Sequence, residues 1–325
     1  MKKKILITGG SGFIGSNIII ELINLEYDIL NMDISPPKIK SHFKYWTEAS
    51  ILDFDKLSSS INGFKPNYII HLAARTDLCG ERLDDYNVNT IGTENLVKIC
   101  NNKLFIDRVI FASSMLVNRT GSSLVELMSY NPDTIYGKSK VEMEKCILRS
   151  GLNFPWVIIR PTSIWGPWFG EPYNNFFHFV LRKMFVHPGN MGCEKTYGYI
   201  GNSVFQILKL LEIEDESLVK GKTFYIGDQP AINISEWADE ISIQNSGRKN
   251  RTVSLLVFKA AALIGDMLRV IKVNFPITSF RLKNMTTDNI IPLDDLYEVV
   301  GDVPYTRLEG TVKTLEWISA TKDRK

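Results

Sequence analysis

Lys4-Ile5-Leu6-Ile7-Thr8-Gly9-Gly10-Ser11-Gly12-Phe13-Ile14-Gly15 is the stretch that decides the fold. A short apolar, strand-forming run passes straight into spaced glycines, and a helical pattern begins at Phe13. Glycines here permit a tight turn, let backbone amides approach a pyrophosphate, and let the next helix pack close to the strand with its positive end toward the phosphates. Asp33 closes the following strand 18 residues after Gly15, where a carboxylate accepts hydrogen bonds from an adenosine ribose. That carboxylate repels a 2′-phosphate, and Ile34 beside it offers no cation to attract one, so the sequence reads as NAD-binding rather than NADP-binding.

Outward from this loop, strand-like segments are expected at 4–8, 28–32, 68–72, 109–112 and 156–160. Helical stretches lie between them, beginning near Phe13, Asp84 and Thr134. The alternation predicts an α/β fold: a doubly wound parallel sheet with helices on both faces. After Pro161 the texture changes, with Pro167, Pro172 and Pro188 among Gly166, Gly170, Gly189 and Gly192. A smaller, loop-rich α+β substrate part is expected there. The reading is a cofactor domain at 1–162 and a substrate-binding region at 163–325, interleaved so that part of 195–215 returns to the first.

A chain of 325 residues, 44% apolar and 23% charged, is ordinary for a globular protein, and a net charge of +2 gives no broad basic field for nucleic acid. Cys79, Cys100, Cys146 and Cys193 lie far apart, so reduced thiols in the cytoplasm are expected, and no ligands stand at metal spacing. Lys2 to Lys4 are followed by an apolar run broken by Thr8 and Gly9, which reads as a mature N-terminus and not a signal peptide. The stretch from Val253 to Ile271 contains Lys259, Asp266 and Arg269, so no membrane span is expected. Its apolar residues Leu256, Ala260, Leu263, Met267 and Val270 stand at helical spacing and suit a helix packed on a domain or lying at a surface.

Tyr136-Gly137-Lys138-Ser139-Lys140 is the second chemical motif, with Tyr136 and Lys140 on one helix face. A phenol is a poor base at neutral pH, but a neighbouring ammonium and a cationic nicotinamide favour its phenolate. His71 ends an apolar strand and reads as a satisfied core residue. Trp165, Trp168, Phe169 and Tyr173 read as a packing cluster or a sugar platform, packing being the commoner use.

Taken together, T-G-G-S-G-F-I-G at 8–15, H-L-A-A at 71–74, Y-N-V-N-T-I-G-T at 86–93, F-A-S-S at 111–114, Y-G-K-S-K at 136–140 and R-P-T-S-I-W-G-P at 160–167 carry a resemblance. The chain resembles the extended short-chain dehydrogenase/reductases with a Rossmann fold, specifically the NAD-dependent epimerase/dehydratases acting on nucleotide sugars. The resemblance implies that Gly9, Gly12 and Gly15, with Phe13 and Ile14, hold the pyrophosphate and that Asp33 holds the ribose. Ile51, Leu72, Ala73, Ala74, Asn87 and Pro161 would border the cofactor, and Lys140 would hold the nicotinamide ribose. Tyr136 would take the proton of a sugar hydroxyl as hydride leaves the same carbon, with Ser114 on the developing carbonyl. Ser163 stands where an asparagine of the family touches substrate, Lys195 loosely matches a diphosphate-binding arginine and Arg281 is a candidate second cationic clamp, the alternative for either cation being a solvated side chain.

Met115 and Leu116 follow Ser114 where the dehydratases and decarboxylases of the family carry acidic residues, and where fucose-synthase-like enzymes place a cysteine. Hydride chemistry at one carbon, C4, is what the resemblance then implies. Three departures blur the substrate: Ser50 for an aspartate, Ser163 for an asparagine and Trp165 for a tyrosine. Family likeness also implies a homodimer. The alternatives are an NAD(P)H-dependent reductase of a nucleotide 4-keto-sugar, a sterol-type hydroxyl dehydrogenase, and a non-catalytic dinucleotide sensor. Intact Ser114, Tyr136 and Lys140 argue against the sensor.

Overall fold

The computed structural model describes residues 2–119, 121, 129–171, 173–189, 192–270, 273 and 278–322, excepting the side chains at 269, 270, 280, 281, 284 and 322. Pro172 and the Arg281 side chain therefore lie outside the described parts. Strands β1 (Lys4–Thr8), β2 (Asp28–Asp33), β3 (Trp46–Glu48), β4 (Tyr68–His71), β5 (Arg108–Ala112) and β6 (Trp156–Pro161) come first. The short β7 (Ser163–Trp165), β8 (Val186–Pro188), β9 (Glu194–Lys195) and β10 (Tyr197–Tyr199) follow, then β11 (Lys222–Ile226), β12 (Ile232–Asn233) and β13 (Arg251–Val253). The helices are α1 (Phe13–Asn24), α2 (Phe54–Phe64), α3 (Asn87–Cys100), α4 (Ile135–Arg149), α5 (Asn175–Leu181), α6 (Ile200–Glu212), α7 (Ile234–Ser246), α8 (Leu255–Val270), α9 (Ser279–Thr286), α10 (Asp294–Val300) and α11 (Arg307–Lys322).

Seven strands form one parallel sheet in the order β11-β6-β5-β4-β1-β2-β3. Ile5, Leu6 and Ile7 of β1 are wholly buried, as a strand covered on both faces requires. Ile18, Ile19 and Leu22 of α1 meet Ile207 and Leu211 of α6 on one face of the sheet. Leu57 and Ile61 of α2, Leu96 and Ile99 of α3, and Met143 and Ile147 of α4 fill the other. Arg108 of β5 donates to the Leu210 and Leu211 carbonyls at 3.0 and 2.9 Å, satisfying the C-terminal turn of α6.

The expected strands and helices stand within one or two residues of the sequence reading at most ends. The helix expected near Asp84 starts instead at Asn87, because the Asp85 carboxylate accepts from the Glu81 and Arg82 amides and winds Leu83–Tyr86 into a separate 3₁₀ turn. The sequence reading did not expect β3, α2 or the seventh sheet strand, β11, which lies among residues read as substrate-binding. β3 has only three residues, and α2 carries Ser58-Ser59-Ser60, a weak helix former held by its Asp53 cap.

Candidate active site

Chain order in the sheet reverses at β1: the chain goes from β1 to β2 on one side and resumes at β4 on the other. The crevice at the carboxyl ends of those strands is where open α/β sheets bind ligands. A groove of about 810 Å³ opens there, of a size for a dinucleotide and a small partner.

The loop after β1 forms its inner wall. Gly9 has φ of +75°, and a β-carbon on it would sit 2.6 Å from the Ala73 amide nitrogen and 2.7 Å from the Ala73 α-carbon. Only glycine permits both the left-handed backbone and that approach. At Gly15 a β-carbon would come within 2.5 Å of the Gly10 α-carbon, so the first turn of α1 lies directly on the loop. α1 has no side-chain cap and no acidic residue in its first turn. Its first amides, which no helix can satisfy internally, are thus a site for a pyrophosphate. Asp33 accepts from the Ser11 amide through Oδ2 at 3.0 Å and from the Ser35 amide through Oδ1 at 2.9 Å, fixing the carboxylate in the groove wall. These features fit NAD: an amide cradle for the diphosphate and a held carboxylate for a ribose.

At the other end stand Ser114, Tyr136 and Lys140, all buried and all lining the groove. Thr134 caps α4 by accepting from the Gly137 amide at 2.9 Å, and so sets the helix turn that presents Tyr136 and Lys140 together. Ser114 stands two residues beyond β5 and caps the next 3₁₀ turn by accepting from the Leu116 amide at 3.1 Å. Its side chain lines the groove together with Tyr136. Burial raises the Tyr136 phenol well above the usual range, opposed by the Ser114 hydroxyl, with Tyr173 and Tyr86 adding to the rise. The Lys140 ammonium donates to the Ala112 carbonyl at 2.8 Å. Burial brings that ammonium down to about 8, opposed by Glu144.

Beneath these residues, Arg160 of β6 pairs with Glu144 of α4 through two bonds, Nε to Oε1 at 2.9 Å and Nη2 to Oε2 at 2.7 Å. Glu144 also accepts from Ser113 at 2.5 Å and Tyr130 at 2.9 Å. This network ties the residue before Ser114 to the helix that carries Tyr136.

Of the residues singled out from sequence, Gly9, Gly12, Phe13, Ile14, Gly15, Asp33 and Ile51 line the groove. Leu72, Ala73, Ala74, Pro161 and Ser163 line it too. Asn87 does not. Two residues on, Asn89 is buried, accepts from the Arg75 amide at 2.8 Å and donates to the Ser139 hydroxyl at 2.9 Å, so it braces the loop after β4 against α4. Lys195 lies on β9 outside the groove wall, paired in register with Ile232. His71 is a core residue, with Nδ1 2.7 Å from the Thr8 hydroxyl and Nε2 3.0 Å from that of Thr93. Its ring is held down to about 3 by burial and by Lys140. Trp165 packs on Trp237 at 4.8 Å and Phe169 on Phe177 at 5.4 Å between ring centroids, so they are core. Only Tyr173 of that set reaches the groove. Sequence reasoning missed Lys38, which stands in no motif, and Thr162, which lies in the 160–167 motif between the two residues singled out there. Among the described residues no three histidines, cysteines or carboxylates gather as metal ligands, and no helix is long and apolar enough to cross a membrane.

Comparison with known proteins gives a consistent relation. An E. coli O157:H7 N-acetyl-alpha-D-glucosaminyl-diphospho-ditrans,octacis-undecaprenol 4-epimerase is 26% identical over 340 residues, covering 99% of this chain and 98% of its own. A Mycobacterium tuberculosis 3 beta-hydroxysteroid dehydrogenase/Delta 5→4-isomerase is 26% identical over 252 residues, 72% of this chain and 67% of its own. The Thermotoga maritima UDP-glucose 4-epimerase, solved with UDP-glucose, superposes with a TM-score of 0.73 at 20% identity, covering 98% of this chain and 99% of that one. The model of the NAD dependent epimerase/dehydratase family matches residues 5–224. Sheet order, glycine loop and family match agree: the chain is an enzyme of the NAD-dependent epimerase/dehydratase family, of the extended short-chain dehydrogenase/reductase type.

Proposed function

We propose that this enzyme is a 4-epimerase of a diphosphate-linked sugar, a nucleotide sugar first among them, with residues 1–162 serving the cofactor and 163–325 the sugar. The observation that carries the reading is the gathering of buried Ser114, Tyr136 and Lys140 in the wall of one groove with the glycine loop and Asp33, with Met115 and Leu116 and no carboxylate following Ser114. When bound, NAD supplies a reversible hydride acceptor and a positive charge beside the buried phenol. Tyr136 Oη takes the proton from the C4 hydroxyl and returns it. Ser114 Oγ donates to the oxygen as it becomes a carbonyl. Lys140, fastened to the Ala112 carbonyl, holds the nicotinamide ribose, and Ser163 contacts the sugar. Elimination of water needs a second acid or base at a neighbouring carbon, and Met115 and Leu116 supply none. A homodimer in the cytoplasm belongs to the same proposal.

One competing reading has support in the similarity to hydroxysteroid dehydrogenases and in the apolar Met115 and Leu116 of the groove wall. The experiment is to purify the protein without added cofactor, release bound nucleotide by denaturation, and supply nucleotide sugars, a polyprenyl-diphosphate sugar and a 3β-hydroxysteroid, with and without NADH. Released NAD and a C4 epimer formed without reductant are the expected result. Consumption of NADH on 4-keto sugars alone would replace epimerase by reductase, and turnover of the steroid alone would replace the sugar reading.

A further inference from the structure

The apolar stripe on α8 faces outward. Leu256, Leu263 and Met267 are 76, 60 and 71% exposed, and Val257 and Ile264 beside them are also exposed. The helix packs instead through Phe258 and Ala262, which meet Leu282 of α9 with Val186 and Val253. Of the two settings that the helical spacing allowed, the surface is the one the stripe takes. Five large apolar side chains on one helix make a patch of the kind that marks an interaction surface.

Charge says what covers it. Residues 247–286 carry eight basic side chains and one acidic, a net of +7, so with the whole chain at +2 the rest of the protein stands at −5. Arg248, Lys249 and Arg251 just before α8, Lys259 on it and Lys283 on α9 are exposed. An apolar helix face rimmed by cations is the pattern of a helix lying in the interface of an anionic bilayer, its apolar side chains among the acyl chains and its cations at the headgroups. A second copy of this chain would set those cations against one another about the same axis of symmetry.

We infer that α8, with the basic segment leading into it, docks the enzyme on the surface of a membrane containing anionic lipid. It lies on the bilayer and does not cross it, since no described helix is long and apolar enough to span. The inference stands on the outer face of α8 and is independent of what the groove binds.

The test is co-sedimentation of the full chain with vesicles of phosphatidylcholine alone and of phosphatidylcholine with about a third phosphatidylglycerol. The wild type should pellet with the anionic vesicles and be released by high salt. The Leu256→Ser/Leu263→Ser/Met267→Ser variant should lose roughly tenfold or more of that partition, as three large apolar side chains are withdrawn from the interface. Lys249→Gln/Arg251→Gln/Lys259→Gln should lose the preference for anionic lipid. Both variants should keep the wild-type Tm and NAD affinity. Failure of the wild type to pellet overturns the inference, as does undiminished pelleting of the serine variant. A fall in oligomeric mass of the serine variant by light scattering, with no vesicle binding by the wild type, assigns the patch to a second copy and overturns it equally.

Discussion

Gly9→Ala tests the glycine loop at its most constrained point. The left-handed backbone at φ +75° costs an L side chain about 1–2 kcal/mol. The added methyl would meet backbone atoms: the Ala73 nitrogen at 2.6 Å, the Ala73 α-carbon at 2.7 Å and the Leu72 carbonyl carbon at 2.8 Å. None is the free end of a side chain, so the loop must move away from residues 72–73 by most of an ångström. That motion strains the bond from the Gly9 amide to the Met32 carbonyl, 2.9 Å long, worth about 1 kcal/mol. The local cost sums to roughly 3 kcal/mol, and every 1.4 kcal/mol lost by the binding-competent loop is a factor of ten. NAD affinity should fall about a hundredfold by calorimetry, and Tm should fall with it. Gly63→Ala is the control: its β-carbon meets nothing within 4 Å in α2, so it should leave NAD affinity alone and stabilise by about 0.5–1 kcal/mol. Wild-type NAD affinity and Tm in Gly9→Ala would refute the steric argument.

Two further outcomes follow from buried charges. Arg160→Met leaves the wholly buried Glu144 without its cation and should cost about 3–5 kcal/mol, read in urea unfolding, with Arg160→Met/Glu144→Gln recovering part of the loss; equal stability of single variant and wild type would count against the network. Asp228, which accepts from the Tyr199 amide and from Asn202, is pushed up from 3.8 to about 7 by burial against those bonds. Because the folded chain holds this proton more tightly, Asp228 adds stability that is full below about pH 4 and is lost as pH rises through 7. The slope of Tm against pH between 4 and 7 should flatten in Asp228→Asn, and an unchanged slope would remove the assignment.

The cofactor half was legible because its signals are local. A strand, a glycine turn and a helix start sit within twelve residues at Lys4–Gly15, and Tyr136 and Lys140 share a helix face by spacing alone. Asp33 needed only the end of the next strand. In the run Asn87-Val88-Asn89 only the helix phase decides which amide turns inward, and it is Asn89 that is buried. That phase follows the separate 3₁₀ turn at Leu83–Tyr86, whose start the Asp85 carboxylate caps, and composition does not reveal it. Spacing put Lys140 on the helix face of Tyr136 but did not reveal that the Ala112 carbonyl, brought in by β5, takes one of its ammonium hydrogens.

The same distinction explains α8. Helical periodicity establishes that Leu256, Ala260, Leu263 and Met267 share one face; it does not say whether anything covers that face. Phe258 and Ala262, at their own four-residue spacing on another face, compete for the same role, and both faces are apolar. What decides between them is the arrival of Leu282 from α9 and of Val186 from β8, contacts far apart in sequence. With Phe258 and Ala262 chosen as the packing face, Leu256, Leu263 and Met267 are left to water. An exposed apolar stripe lowers solubility and gives nothing to the fold, and beside a local net charge of +7 it matches the proposed anionic membrane surface, which takes both.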